Sequence, residues 1–170
     1  IGNEYSDLDV FVLSNDIKEY EAEYDYKIYK VGFFKIENMN CDVEYWDINS
    51  VHSIIDQINS IDLNNEDIRT TNQIKVDNLS FGEIVSFVHR FNNSICIFNE
   101  KKMNELKQQL NIKLLNKIVA RSFINIVDNS YEDIIGNYEQ NELVNALLVC
   151  RTSVIDLMKA YIFSYDYSVD

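Results

Sequence analysis

The chain begins with alternating apolar and polar positions in the segment DLDVFVL, residues 7–13. A period of two residues is typical of a β-strand, because successive side chains point to opposite faces. One predicted face carries Leu8, Val10 and Val12, and the other carries Asp7, Asp9, Phe11 and Leu13. Residues 26–36 and 41–47 are rich in aromatic and β-branched residues and flank the turn-like sequence ENMN, which predicts a β-hairpin.

Helical spacing of apolar residues replaces alternation after residue 47. Asp47 or Asn49 is placed to cap a helix whose apolar stripe contains Val51, Ile54, Ile55 and Ile58. Ser80 and Glu83 have the spacing of a capping box, which predicts a second helix reaching about Phe91. The polar stretch 65–78 between these helices predicts a connection containing at most one short strand.

Two longer helices complete the predicted order. The first is expected over about 100–127, with an apolar side made of Met103, Leu106, Leu110, Leu114 and Ile118. The second, about 140–163, is apolar over most of its surface, so we expect it at the centre of a helical bundle. Strands followed by helices predict an α+β fold, a small mixed β-sheet followed by a C-terminal helical bundle. The expected domains are residues 1–76 and 77–170.

Charge restricts the class of partner. The formal net charge is −13, and most of the acidic excess lies in the first 75 residues. Nucleic-acid binding requires Lys and Arg to neutralise phosphates, so no nucleic-acid partner is expected. A cationic small molecule or a basic protein fits this charge better.

The apolar runs and the cysteines indicate in which cellular compartment the protein is expected. No apolar run approaches the roughly 18 residues that span a bilayer, so no membrane partner is expected. Three cysteines without a CxxC pair are typical of a reducing cytoplasm. The first residue is Ile rather than Met, which indicates that further residues precede it.

Four carboxylates form the candidate functional site. Asp7 and Asp9 share a face of the first strand, and Asp42 and Glu44 share a face of the segment CDVEYWD. If the two strands are neighbours, three carboxylates converge on one point. Carboxylate oxygens are the ligands that Mg²⁺ prefers, and two such ions can clamp the oxygens of a phosphoryl or nucleotidyl transfer. The simpler interpretation is that these carboxylates are ordinary surface residues, at the end of a strand and on the exposed face of a hairpin.

This pattern resembles the nucleotidyltransferase superfamily of DNA polymerase β. The resemblance is carried by Gly2, Ser6 and the run Asp7-Leu8-Asp9, followed by the hydrophobic-acidic-hydrophobic pattern of residues 41–45. Within the superfamily, the helical second half is similar to the antibiotic (kanamycin- and lincosamide-type) and minimal nucleotidyltransferases. The family's Gly-Ser, which grips the triphosphate about ten residues before the first Asp, is absent from this sequence.

The resemblance implies an activity and roles for individual residues. The reaction is Mg²⁺-dependent transfer of a nucleoside monophosphate from a nucleoside triphosphate such as ATP to an acceptor hydroxyl. Asp7, Asp9 and Glu44 are the implied catalytic and metal-binding residues, and Asp42 fits the same metal template. Ser6 is expected to bind the nucleotide. The family also implies a possible homodimer.

Other residues and functions remain as alternatives. Arg151 on the last helix either contacts the triphosphate or makes a structural ion pair. The resemblance to the antibiotic enzymes implies a general base from the helical half, for which Asp156 and Glu142 are the candidates, although a solvated position is the simpler expectation for each. Residues 19–26 mix Tyr with Glu and either border a pocket for a cationic substrate or form a solvated loop. The expected acceptor is a cationic, aminoglycoside-like antibiotic. The alternatives are a toxin–antitoxin type enzyme that nucleotidylates a protein, and a non-catalytic binding protein.

Overall fold

A computed structural model describes residues 7–64, 74–76 and 79–165. Its strands are β1 (Leu8–Ser14), β2 (Tyr24–Asp25), β3 (Tyr29–Ile36) and β4 (Met39–Asp47). The helices are α1 (Ile48–Asn59), α2 (Phe81–Asn93), α3 (Glu100–Gln109), α4 (Ile112–Glu139) and α5 (Leu143–Ser164). The predicted order of a mixed sheet followed by helices is confirmed. Most of the polar stretch 65–78 lies outside the described residues.

The sheet has the order β1-β4-β3-β2. β1 pairs with β4 in parallel, whereas β3 is antiparallel to both β4 and β2. The β3–β4 hairpin confirms the sequence prediction, and its loop is shortened to Glu37 and Asn38 because Ile36 pairs with Met39. Segment 19–26 contributes only the two-residue edge strand β2.

Local capping explains where α1 and α2 begin. The Asp47 carboxylate accepts a hydrogen bond from the Ser50 backbone N–H at 2.9 Å and starts α1. The predicted capping box is present at α2, because Ser80 and Glu83 exchange hydrogen bonds in both directions. The apolar stripe predicted for α1 is fully buried.

A continuous apolar core joins one face of the sheet to the helices. Trp46 of β4 stacks on Tyr29 of β3 at 4.5 Å and on Phe87 of α2 at 3.9 Å between ring centroids. Phe11 of β1 meets Phe87 edge-on at 6.0 Å. The same cluster of buried residues includes Ile118 of α4. It therefore contains residues from both sides of the predicted boundary at residue 76, and the division into two domains stays a prediction.

The single helix predicted over 100–127 is wrong. The helix is broken between α3 and α4, where Leu110 is extended and Asn111 caps α4 by accepting a hydrogen bond from the Leu114 N–H. The Asn59 side chain bridges the break, because it donates to the Gln109 carbonyl at 2.7 Å and accepts from the Asn111 N–H at 3.1 Å. These bonds pair backbone groups that a helix end leaves free.

The central position expected for the last helix is also wrong. α5 packs along α4, and its buried side chains are Ala146, Ser153, Asp156, Ala160 and Phe163. Large apolar side chains on the remaining surface of α5, including Leu147 and Met158, are exposed. We expected other helices to surround α5 because it is apolar over most of its circumference. Within this chain, however, α4 covers only a narrow stripe of it.

Candidate functional site

The carboxylates of β1 and β4 lie on the face of the sheet that carries the helices. In the parallel β1–β4 pair, Asp9 is directly opposite Asp42, and Phe11 is directly opposite Glu44. Neighbouring strands are about 4.8 Å apart, so Asp9 and Asp42 are adjacent on one rung. The condition set for convergence of the carboxylates, that these two strands are neighbours, is therefore met.

The pKa of Asp42 reflects the charge of its acidic neighbours. The pKa of Asp42 is raised, mainly because partial burial withdraws water from its carboxylate, and further because Asp7, Asp9 and Glu44 are negatively charged neighbours. The four predicted carboxylates, Asp7, Asp9, Asp42 and Glu44, therefore form one cluster. We call it the acidic cluster.

Glu44 differs from the other members because both of its oxygens have donors. Oε1 accepts a hydrogen bond from Arg90 Nη1 of α2 at 2.7 Å, and Oε2 accepts from Trp46 Nε1 at 2.8 Å. The Arg90 guanidinium also lies over the Phe11 ring, 5.1 Å from its centroid. Asp42 has none of these contacts and lies opposite Asp9.

Arg90 is a site residue that the sequence interpretation missed. It lies 46 residues from Glu44 and its helix is separated from β4 by α1, so no local spacing links the two. The sequence feature that could have identified Arg90 is that it is the single Arg in α2, a helix whose other face is aromatic and buried. A cation in that position needs a negative partner, because burying it unpaired is costly.

Metal binding requires some rearrangement of these side chains. Among residues 7–64, 74–76 and 79–165, no three His, Cys, Asp or Glu side chains stand in positions to hold one metal ion together. The chemistry of the cluster nevertheless fits a divalent cation: its donors are carboxylate oxygens, and the Asp42 carboxylate experiences repulsion from three others.

The other predicted residues lie elsewhere. Ser6 falls outside the described residues. Arg151 is exposed on α5 and is not brought to the acidic cluster. Asp156 is buried rather than solvated, because it lies on the stripe that packs against α4, where it contacts Lys159 Nζ at 3.4 Å.

The acid-aromatic segment borders a cavity of about 360 Å³. Tyr26 and Tyr29 are stacked at 4.6 Å and form one side of it, and Glu83 of α2 reaches it from the other. The pKa of Tyr29 is raised, mainly by burial and further by Tyr26, Glu83 and Glu44, whereas Arg90 lowers it. The cavity is lined by Asp25, Tyr26, Lys27, Ile28, Tyr29, Leu79 and Glu83.

A second depression of about 440 Å³ follows the polar side of α1, from Asn49 to Ser60. It contains none of the predicted site residues, so it is the less informative of the two.

Comparisons with protein families, with curated proteins and with solved structures found no match. Across the described residues, no helix combines the length and the hydrophobicity needed to cross a membrane.

Proposed function

We propose that this protein is a divalent-metal-dependent nucleotidyltransferase with the acidic cluster as its active site. The observation that carries the proposal is the placement of Asp9 beside Asp42 on adjacent parallel strands, together with the raised pKa of Asp42. A carboxylate whose pKa is raised by burial and by neighbouring negative charges is typical of functional sites.

Asp7, Asp9 and Asp42 are the residues that would hold the metal. When bound, Mg²⁺ would neutralise the phosphates of a nucleoside triphosphate and orient them for displacement. Glu44 has a different role, because its two carboxylate oxygens already accept hydrogen bonds from Arg90 and Trp46. We assign it to fixing Arg90 beside the cluster.

The cavity bordered by Tyr26 and Tyr29 supports a cationic acceptor. Stacked tyrosine rings and the Glu83 carboxylate would attract positively charged groups by cation–π contact and by charge, while Asp25 at the same cavity is paired with Lys30 at 3.4 Å. An amino sugar of the aminoglycoside type would present such groups together with the hydroxyl that accepts the nucleotide. Binding should weaken with rising salt and after the change Tyr26→Leu, which keeps apolar contact but removes the ring.

Isothermal calorimetry with Mn²⁺, and then with ATP and GTP in the presence and absence of Mg²⁺, tests the catalytic proposal. We expect nucleotide binding to depend on the metal and to weaken at least tenfold in Asp9→Asn and Asp42→Asn. Asp56→Asn makes the same chemical change on the exposed side of α1 and should bind as the unaltered protein does. A nucleotide affinity that is the same with and without the metal, and the same in the substituted proteins, would contradict the proposal.

A further inference from the structure

Arg90 of α2 carries hydrogen-bond donors that the described part of the chain does not use. A guanidinium has five N–H donors. Among residues 7–64, 74–76 and 79–165, Arg90 makes one hydrogen bond, from Nη1 to Glu44 Oε1 at 2.7 Å. Nε is buried without an acceptor, whereas Nη2 also lacks an acceptor but is accessible, and the side chain as a whole is 37% exposed. Since a buried donor without a partner costs free energy, the pairing of this side chain is incomplete.

Two contacts hold the guanidinium of Arg90 in place. Its central carbon lies over the Phe11 ring, 5.1 Å from the ring centroid. Its partner Glu44 is itself fixed, because Glu44 Oε2 accepts a hydrogen bond from Trp46 Nε1 at 2.8 Å. An anion that meets the remaining donors of Arg90 therefore does not have to order a mobile side chain, which keeps the entropic cost of binding small.

The position of Arg90 relative to the acidic cluster follows from the strand register. Phe11 and Glu44 are opposite each other in the β1–β4 pair, and Asp9 and Asp42 form the preceding rung on the same face of the sheet. Two residues along a strand advance by about 6.6 Å. Arg90 therefore lies one such step from the two carboxylates assigned to the metal. A polyphosphate is long enough to meet the metal with one oxygen and Arg90 with another.

Charge and geometry favour a metal-bound polyphosphate as the anion. The acidic cluster repels a free anion, so an anion binds here together with a cation that neutralises the carboxylates. Within the part of the chain that the structure describes, Arg90 is the cation that hydrogen-bonds to a member of the acidic cluster. The planar fork of a guanidinium matches phosphate oxygens and forms charge-assisted hydrogen bonds of about 2.7–2.9 Å. A polyphosphate, unlike a single carboxylate group, also spans the step to the metal.

We propose that Arg90 binds the phosphates of a metal-bound nucleoside triphosphate, with Nη2 as the donor that a phosphate oxygen meets first. This assignment rests on the proposed function, in which Asp9 and Asp42 hold the metal. It gives Arg90 a role besides joining α2 to the sheet, because the bond to Glu44 uses only one of its donors. Glu44 is then a positioning residue, since it acts through Arg90.

Calorimetric titrations separate binding of the metal from binding of the phosphates. The ligands are Mn²⁺ alone, and then ATP and inorganic tripolyphosphate in the presence of Mn²⁺. In Arg90→Met, the affinities for ATP and for tripolyphosphate should fall about tenfold or more and by similar factors, because the two ligands share the phosphates. The affinity for Mn²⁺ alone should stay the same or rise, because the substitution removes a positive charge beside the carboxylates.

Two further variants control for charge and for folding. Lys101→Met removes one positive charge at an exposed position of α3 and should bind all three ligands as the unaltered protein does. Arg90→Lys keeps the charge but lacks the planar fork, so its affinity for ATP should also fall. Circular dichroism checks that the variants are folded, and Arg90→Lys replaces Arg90→Met if the latter is not.

The results distinguish this assignment from the proposed function. An unchanged affinity for ATP in Arg90→Met, together with loss of ATP binding in Asp9→Asn, overturns the assignment of Arg90 and leaves the acidic cluster as the metal site. A parallel weakening of Mn²⁺ and ATP binding in Arg90→Met shows that Arg90 only supports the fold, and it also overturns the assignment. An unaltered protein that binds neither ATP nor tripolyphosphate overturns both proposals.

Discussion

Arg90 of α2 donates a hydrogen bond of 2.7 Å from Nη1 to Glu44 Oε1 of β4, and the two residues form an ion pair. This contact joins the first helix of the second half of the chain to the strand that carries Asp42. The contact brings the positive charge of Arg90 to the acidic cluster and fixes the position of Arg90 relative to the sheet.

Replacing Arg90 should destabilise the fold. In Arg90→Met, the Glu44 side chain, which is 15% exposed, loses its cation and keeps the hydrogen bond from Trp46. A hydrogen bond to a charged group is worth about 1.5–3 kcal/mol, and the partial exposure of Arg90 places the expected loss near the lower end. Urea denaturation of Arg90→Met, Glu44→Gln and the double variant measures the coupling. Additive effects of the two substitutions would show that the ion pair contributes nothing.

Replacing Asp42 should stabilise the metal-free protein at neutral pH. Because the folded-state pKa of Asp42 lies above its ordinary value of 3.8, the folded state binds more protons than the unfolded state between those two pH values. The free energy of unfolding therefore falls as the pH rises through that interval, and the ionised carboxylate costs stability above it.

Asp42→Asn removes this cost, so its melting temperature at pH 7 should exceed that of the unaltered protein, and the difference should shrink as the pH falls towards 4. Thermal melting with EDTA present measures this, with Asp56→Asn as the control. A lower melting temperature for Asp42→Asn at pH 7 would mean that Asp42 contributes structural contacts that outweigh the repulsion.

The capping box of α2 should show the opposite dependence on pH. Hydrogen bonds from the Ser80 hydroxyl and then from its backbone N–H lower the pKa of Glu83 below its ordinary value of 4.5. The stability that Glu83 contributes is thus present above pH 4.5 and is lost as the pH falls through its folded-state pKa. Ser80→Ala should cost about 1 kcal/mol at pH 7. Ser86→Ala, on an exposed position of the same helix, is the control, and an equal loss in both variants would argue against the cap.

Asn59 should be important for the break between α3 and α4. Its side chain makes two hydrogen bonds to backbone groups on either side of the break. Asn59→Ala should cost about 1–3 kcal/mol, since each of the two bonds contributes about 0.5–1.5 kcal/mol net. Asn104→Ala, at an exposed position on α3, should change the free energy of unfolding by less than about 0.5 kcal/mol. Hydrogen exchange of the Asn111 amide gives a local measurement, and unchanged protection in Asn59→Ala would contradict this role.

The local elements could be predicted because their causes lie within a few residues. Alternation defines β1, Asp47 and the Ser80–Glu83 pair define two helix starts, and the apolar stripe of α1 predicts the side that is buried. The nature of the acidic cluster was also predictable, because Asp9, Asp42 and Glu44 are acidic residues on predicted strands and Asp7 directly precedes one.

The tertiary structure decided the contacts between residues that lie far apart in the chain. The pairing of β1 with β4 set Asp42 opposite Asp9, whereas Glu44 was turned to Arg90 by the packing of α2 on the sheet. Asn59 ended α3 from a distance of 50 residues, which no helical periodicity reveals. Hydrophobicity predicted that α5 is covered on most of its surface, but packing against α4 covers only the side with the small residues. The sequence thus determined the local conformations, since these depend on neighbouring side chains, and the tertiary structure decided which of their faces meet, since that depends on the path of the whole chain.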